Sequence, residues 1–251
     1  MKEYWKWRLC HKLLYFEVFK MKNLFLRFLS IIQGLYLKLY FSKVQNRGFL
    51  FHTRFNGFNK LSSSIDIGNH AHLNNVLFDV GSDVEIIVGE YSRLNNVHFH
   101  CYGNKMRVKI GSLCQLKDVT VWGEDTGVSF ILGNGTYIGG AHFAVTGNNK
   151  SISIGADCMF SDGITVRTGD SHAIINVETG EKINDEKNVM IGSHVWLTQN
   201  VTVLKGTTIG ENCIVGTGSI VSGHFGDNLL IGGNPAKELK TGVTWSTDRF
   251  V

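Results

Sequence analysis

His172 is one of ten histidines in the chain, and its setting rather than its type singles it out. It follows Asp170 and Ser171, stands six residues after Val166, and is followed 24 residues later by Trp196. A hydroxyl that acts as a nucleophile near neutral pH must lose its proton to a base whose own pKa is about 7, and imidazole meets that condition. Asp170, or a carbonyl nearby, is the candidate for fixing the tautomer. Trp196 supplies a flat ring on which a ligand can stack. The chemistry these residues suggest is proton abstraction by a positioned base beside a ligand with a stackable portion.

What must position them is a repeat. From Ile191 to Val221 an aliphatic residue falls on every sixth position: Ile191, Leu197, Val203, Ile209, Val215 and Val221. A helix wants apolar spacings of three and four, and a half-buried strand wants two. A period of six suits a coil of three flat faces per turn, with one inward aliphatic per face and a glycine at the corner. Upstream, aliphatic–Gly pairs recur at Ile67, Val88, Ile110, Leu132 and Ile154, at intervals of 21, 22, 22 and 22. A plain coil needs 18 residues, so each early coil carries a bulge of about four at one corner, and Tyr102–Lys105 and Gly147–Lys150 have the turn chemistry for it. The step from Ile154 to Ile191 is 37 residues, which places one large insertion at 173–190, with His172 at its mouth. A loop leaving the coil there can cover a substrate and exclude water. The expected fold is therefore an all-β solenoid, a parallel β-helix of about seven coils over residues 61–240, ending in a tail at 241–251.

Composition agrees with many tight corners, since the chain holds 29 glycines and one proline. Cys114, Cys158 and Cys213 each stand four residues after an anchor, in a slot that otherwise holds Ala71, Ser92, Thr136 and Val195. They read as inward packing residues. No CxxC pair or secretory cleavage pattern is present, which makes the cytoplasm the expected location. Residues 1–60 are different material, with twelve Lys/Arg against two acids and many interleaved aromatics. The stretch Lys2–Ser42 reads as helix, and its longest uncharged apolar run, Phe28–Leu37, is too short to span a bilayer. Such a segment either caps the open end of the β-helix or rests on the anionic inner face of a membrane. No nucleic-acid-binding module accompanies the charge.

Four C-terminal motifs carry a resemblance. They are Val195-Trp196-Leu197-Thr198, Val203-Leu204-Lys205-Gly206, Val215-Gly216-Thr217-Gly218-Ser219-Ile220-Val221 and Gly233-Asn234-Pro235-Ala236-Lys237. With the hexapeptide steps, they resemble left-handed β-helix hexapeptide-repeat acyltransferases over roughly residues 65–240. Asp170-Ser171-His172 with Trp196 downstream is most similar to the sialic-acid and capsular-polysaccharide O-acetyltransferases. The resemblance implies a homotrimer, a carbohydrate acceptor, acetyl-CoA as co-substrate in the groove between neighbouring β-helices, no metal, and His172 as base. It also implies that Trp196, Thr217 and Ser222 border the CoA groove, with Lys205 and Lys237 near its phosphates. Gly223 departs from the pattern, which often has lysine there. Two other chemistries use this fold. β-Helix carbonic anhydrases hold zinc by three histidines, two of them spaced His-x4-His; this chain lacks that spacing, although the His70/His72 and His98/His100 pairs are close in sequence. N-acetyltransferases of nucleotide-linked amino sugars usually carry a separate N-terminal nucleotide-binding domain, and no Gly-rich strand–helix unit is visible here.

Overall fold

The computed structural model describes residues 43–56 and 62–248, together with Phe28 and Ile32. The chain winds as a parallel β-solenoid of three faces. The first face stacks nine strands in chain order, from Lys43–Asn46 through Ser64–Ile67, Glu85–Val88, Arg107–Ile110, Ser129–Leu132, Ser151–Ile154, Val189–Ile191 and Thr208–Ile209 to His224–Phe225. Nine rungs make about eight turns, a stack of about 38 Å at about 4.8 Å per rung.

The expectation of about seven coils beginning at residue 61 is corrected by the first rung. Lys43–Asn46 pairs in register with Ser64–Ile67, Phe49–Phe51 with His72–Asn74, and Arg54–Asn56 with Leu77–Asp79. Asn46 lies opposite Ile67, and Arg47 follows where the next coil has Gly68, so this rung lacks the aliphatic–Gly pair that marks the others. The helix expected over Lys2–Ser42 lies outside the described residues except for Phe28 and Ile32, which are helical and exposed. None of the described helical positions forms a helix long and apolar enough to cross a membrane.

The anchors point inward as their period demands. Ile191, Leu197, Val203, Ile209, Val215 and Val221 are all at most 3% exposed. On the third face Phe78 stacks on Phe55 and on Phe99, each at 5.0 Å and nearly parallel, because in-register parallel rungs place identical side chains one above another. The four-residue excess of the early coils is a difference of two corners. The corner before the first face gains length, as at Tyr102–Lys105, while the corner before the third face is tightened by left-handed Asn75, Asn96 and Asp118. Amides there bond up the stack, Asn75 to Asn96 at 2.9 Å and Asn96 to Asp118 at 2.6 Å.

The cysteine slot has a physical explanation beyond size. Ser92 Oγ, Thr136 Oγ1, Cys114 Sγ, Cys158 Sγ and Cys213 Sγ each donate to a corner glycine carbonyl of the next coil: Gly111, Gly155, Gly133, Gly192 and Gly226 respectively. From Gly68 to Gly210 the corner glycines pack against the next coil so closely that a side chain would collide with backbone; a Cβ on Gly89 would lie 2.4 Å from Ser112 N, whereas one on Gly226 would meet nothing. In five coils the slot thus holds a small donor that satisfies a corner carbonyl, while Ala71 and Val195 fill it with apolar side chains. At the C-terminal end, Ala236–Thr241 folds back antiparallel on Leu229–Gly233 through cis Asn234–Pro235 and covers the last edge of the second face.

Candidate functional site

The insertion leaves the coil after Thr168, at the corner between the third and first faces, and returns at Lys187, whose N–H donates to the Thr168 carbonyl at 2.8 Å. Its tip is a turn held by Asn176, whose Oδ1 accepts from the N–H groups of Glu178 and Thr179 at 2.8 and 3.2 Å. A bridge between Ile175 and Lys182 and the hydrogen bond from Ile183 N–H to the Ile174 carbonyl at 2.9 Å join the two arms, and an ion pair between Lys182 and Glu186 at 2.6 Å braces the returning one. Ile174, Ile175, Val177 and Ile183 stand exposed along it, Val177 at 98%.

The base of the loop is organised by a residue that the repeat pattern did not reveal. Asn184 is 7% exposed, and its side chain makes three hydrogen bonds. Its Nδ2 donates to Asp170 Oδ2 and to the His172 carbonyl, both at 2.9 Å, and its Oδ1 accepts from Ile174 N–H at 2.7 Å. Lys205, one coil further on, donates to the Asp170 carboxylate and to the Asn184 carbonyl, the latter at 2.9 Å. The hydrogen bonds from Lys205 and then Asn184 hold the Asp170 carboxyl below the usual carboxylate range. Ser171 takes a left-handed conformation, φ 67°, and accepts from Arg167 Nη2 at 3.1 Å.

His172 is thus fixed through its backbone, and its side chain lies exposed at the mouth of the loop. Two expectations change. Asp170 Oδ2 accepts from Lys205 and Asn184, and among the described residues no hydrogen bond joins the Asp170 carboxylate to the His172 imidazole. Lys205 is a strut of the loop base rather than a free cation, with its side chain 20% exposed.

Trp196 lies on the second face, between Met159 and Ile214, and points outward as expected. It is half-buried rather than exposed, because the tail returns over it. Trp245 stacks on His194 at 4.4 Å and 9°, donates from Nε1 to the His194 carbonyl at 2.8 Å, and meets the Trp196 ring at 6.1 Å. The Trp196 indole N–H is buried and has no hydrogen-bond partner among the described residues. Thr217 is exposed at the corner after the second face, where its hydroxyl donates to Thr198 Oγ1 at 3.2 Å. Ser222 is exposed at the corner after the third face, and Lys237 and Lys240 are exposed on the outer strand Ala236–Thr241. One chain does not gather these residues. His172 leaves one corner of the prism, whereas Trp196 occupies the second face.

A further group lies on the third face. His100 Nδ1 is 3.1 Å from the Tyr102 hydroxyl and 3.6 Å from the Asp79 carboxylate, to which Tyr102 donates at 3.1 Å. His98 meets His100 edge-on at 6.1 Å. Burial, and then Arg167 and His100, lower the pKa of His142 on the same face. No group of three His, Cys, Asp or Glu side chains among the described residues is gathered as a metal cage.

Comparison with known proteins matches this architecture. Over 83% of its length the chain superposes on 92% of the crystallographically analysed polysialic acid O-acetyltransferase OatWY, with a TM-score of 0.64 and 27% identity. The chain is similar in fold and in sequence to the polysialic acid O-acetyltransferases. It is 52% identical over 48 residues to a polysialic acid O-acetyltransferase of Neisseria meningitidis, and 30% identical over 92 residues to one of Escherichia coli O1:K1. These matches span 19% and 36% of this chain, and only 22% and 30% of the two relatives' own lengths. No family model matches the chain.

Proposed function

We propose that this protein is a hexapeptide-repeat acyltransferase, which moves acetyl from acetyl-CoA to a sugar hydroxyl of a surface polysaccharide, of capsule or lipopolysaccharide, with His172 as general base. The observation that carries the reading is the loop base. Asn184, Asp170 and Lys205 fix the backbone on either side of His172 and leave its imidazole free to reach a ligand. The imidazole takes the proton of the acceptor hydroxyl as that oxygen attacks the thioester carbonyl. The C–S bond breaks, the acetyl ester forms, and the proton passes to the departing thiolate. Exposed Thr217, Ser222 and Lys237 are suited to the polar and phosphate parts of CoA. That two relatives are polysialic acid O-acetyltransferases supports a carbohydrate acceptor.

Because His172 and Trp196 lie on different sides of one solenoid, a site that uses both draws them from neighbouring subunits of a homotrimer. In the same reading the protein works in the cytoplasm, and the basic, aromatic residues 1–60 hold it at the inner membrane face, where lipid-linked glycans are built.

The test is acetyl transfer to capsular oligosaccharide, followed by the mass gained by the product. His172→Ala should lower turnover by roughly 10²–10⁴-fold with folding unchanged. Mixed trimers of His172→Ala and Trp196→Ala subunits should regain part of the activity. Wild-type turnover in the His172→Ala protein would overturn the assignment of the base.

A further inference from the structure

A separate recess of about 420 Å³ opens in the early coils, lined by His70, His72, Tyr91, Arg93, Leu113 and Gln115. Two ladders build it. His72, Arg93 and Gln115 are register partners on the second face. His70, Tyr91 and Leu113 occupy the preceding corner in three successive coils, with φ of 56°, 58° and 62°. Later coils fill the same corner with Gly135, Asp157, His194, Asn212 and Asn228; all but His194 are types that tolerate the left-handed region most readily, and the His194 ring is in use under Trp245. Bulky side chains are strained there, and such strain persists where the side chain is needed. Core packing is not that need, since Tyr91 and Leu113 are 54% and 61% exposed.

The recess has a defined chemistry. The His70 ring stacks on Tyr91 at 4.9 Å and 20°, which makes a flat platform at one wall. Arg93 takes no part in any of the six ion pairs among the described residues. Burial, and then Arg93 and His70, push the His72 imidazole below its ordinary value, so Arg93 is the lasting positive charge. Gln115 adds amide donors and an acceptor. An aromatic platform, one unpaired guanidinium and neutral hydrogen-bonding groups together suit a pyranose that carries a carboxylate. The ring lies on Tyr91 and His70, and the carboxylate meets Arg93.

The recess shares its face with Trp196. From Gln115 the rungs run through Tyr137 and Met159 to Trp196, three steps or about 14 Å. A single sugar does not reach from one to the other, whereas a chain of sugars does. We propose that this recess is a second carbohydrate site, distinct from the transfer site, which docks a carboxylate-bearing polysaccharide along the second face. The proposal rests on the reading of this protein as a sugar O-acetyltransferase, and it adds a place in the early coils, away from the transfer site, where the polymer is held.

The experiment is calorimetric titration of the full chain with polysialic acid and with polygalacturonate, and with dextran as the neutral polymer. Both acidic polymers should bind and dextran should not. Arg93→Gln should weaken binding of the acidic polymers about tenfold, as expected for loss of a charge-assisted contact. Tyr91→Gly should weaken it as well, although glycine relieves the backbone at that corner, so misfolding does not account for the loss. Neither variant should change acetyl transfer to monomeric sialic acid. The site is overturned if the wild type ignores the acidic polymers, if dextran binds equally, or if both variants bind as the wild type does. Absence of acetyl transfer from the wild-type protein to any sugar would sink the functional reading, and the titration would still decide the recess.

Discussion

Asn184 shows how one uncharged side chain can fix the backbone around the proposed base. It is nearly buried, and its amide uses both ends, donating to Asp170 and the His172 carbonyl and accepting from Ile174 N–H. Leucine at this position keeps the bulk and removes every one of those bonds. Asn184→Leu should therefore cost about 1–3 kcal/mol in urea denaturation, because Ile174 N–H loses its partner in a half-buried place. As a positioning residue Asn184 should also affect turnover apart from stability. We expect kcat to fall roughly tenfold, since a small misplacement of a base is costly, while KM for acetyl-CoA stays unchanged. Equal changes in both constants would mean that Asn184 acts on binding rather than on His172.

The C-terminal tail is the element that alters the candidate site most. Residues 242–248 run back along the corner before the second face, anchored by Val243 N–H on the Asn228 carbonyl at 3.1 Å and by the Trp245 ring on His194. The tail half-covers Trp196 and shields its unpartnered indole N–H. Trp245→Ala should expose that group, which hydrogen exchange of the Trp196 indole reads directly. The stacked ring should also contribute about 0.5–1.5 kcal/mol beyond its buried area, visible as a lower denaturation midpoint. If the Trp196 indole exchanges at the same rate in both proteins, the tail does not cover it in solution.

For the whole molecule, the buried thiols tie stability to pH. Burial, with a lesser push from Asp79, raises Cys101 to about 12, and burial raises Cys158 to about 11. Burial also raises Cys114 and Cys213. In the unfolded chain these thiols ionise from pH about 8.5. Above that pH the unfolded state holds fewer protons than the folded one, so the slope of stability against pH is negative. Their stabilising effect is complete below pH about 8.5 and is lost as pH rises toward the folded values. Each buried thiol costs on the order of 1.4 kcal/mol per pH unit in that window. Denaturation under reducing conditions from pH 8 to 11 should show the decline, and Cys158→Ala should make it shallower. A variant with the wild-type slope would place the ionisation elsewhere.

The solenoid itself was legible in the chain because its cause is local. An inward aliphatic and a glycine must recur wherever the chain turns a corner against the coil below, so the period from Ile191 to Val221 and the pairs from Ile67 to Ile154 determine the fold and the inward cysteines. The insertion and the place of His172 at its mouth follow from a broken interval and needed no contact information. The first rung escaped because Asn46 and Arg47 stand where the marker pair would be, and only register with Ser64–Ile67 reveals it. The partners of Asp170, the cover over Trp196 and the recess at Tyr91 were decided by the tertiary structure. Each joins residues that sequence separates but stacking brings together: Asp170 with Lys205, Trp196 with Trp245, and Tyr91 with His70. A hydrogen bond between side chains 35 positions apart leaves no period in a sequence, whereas a core that repeats every coil does.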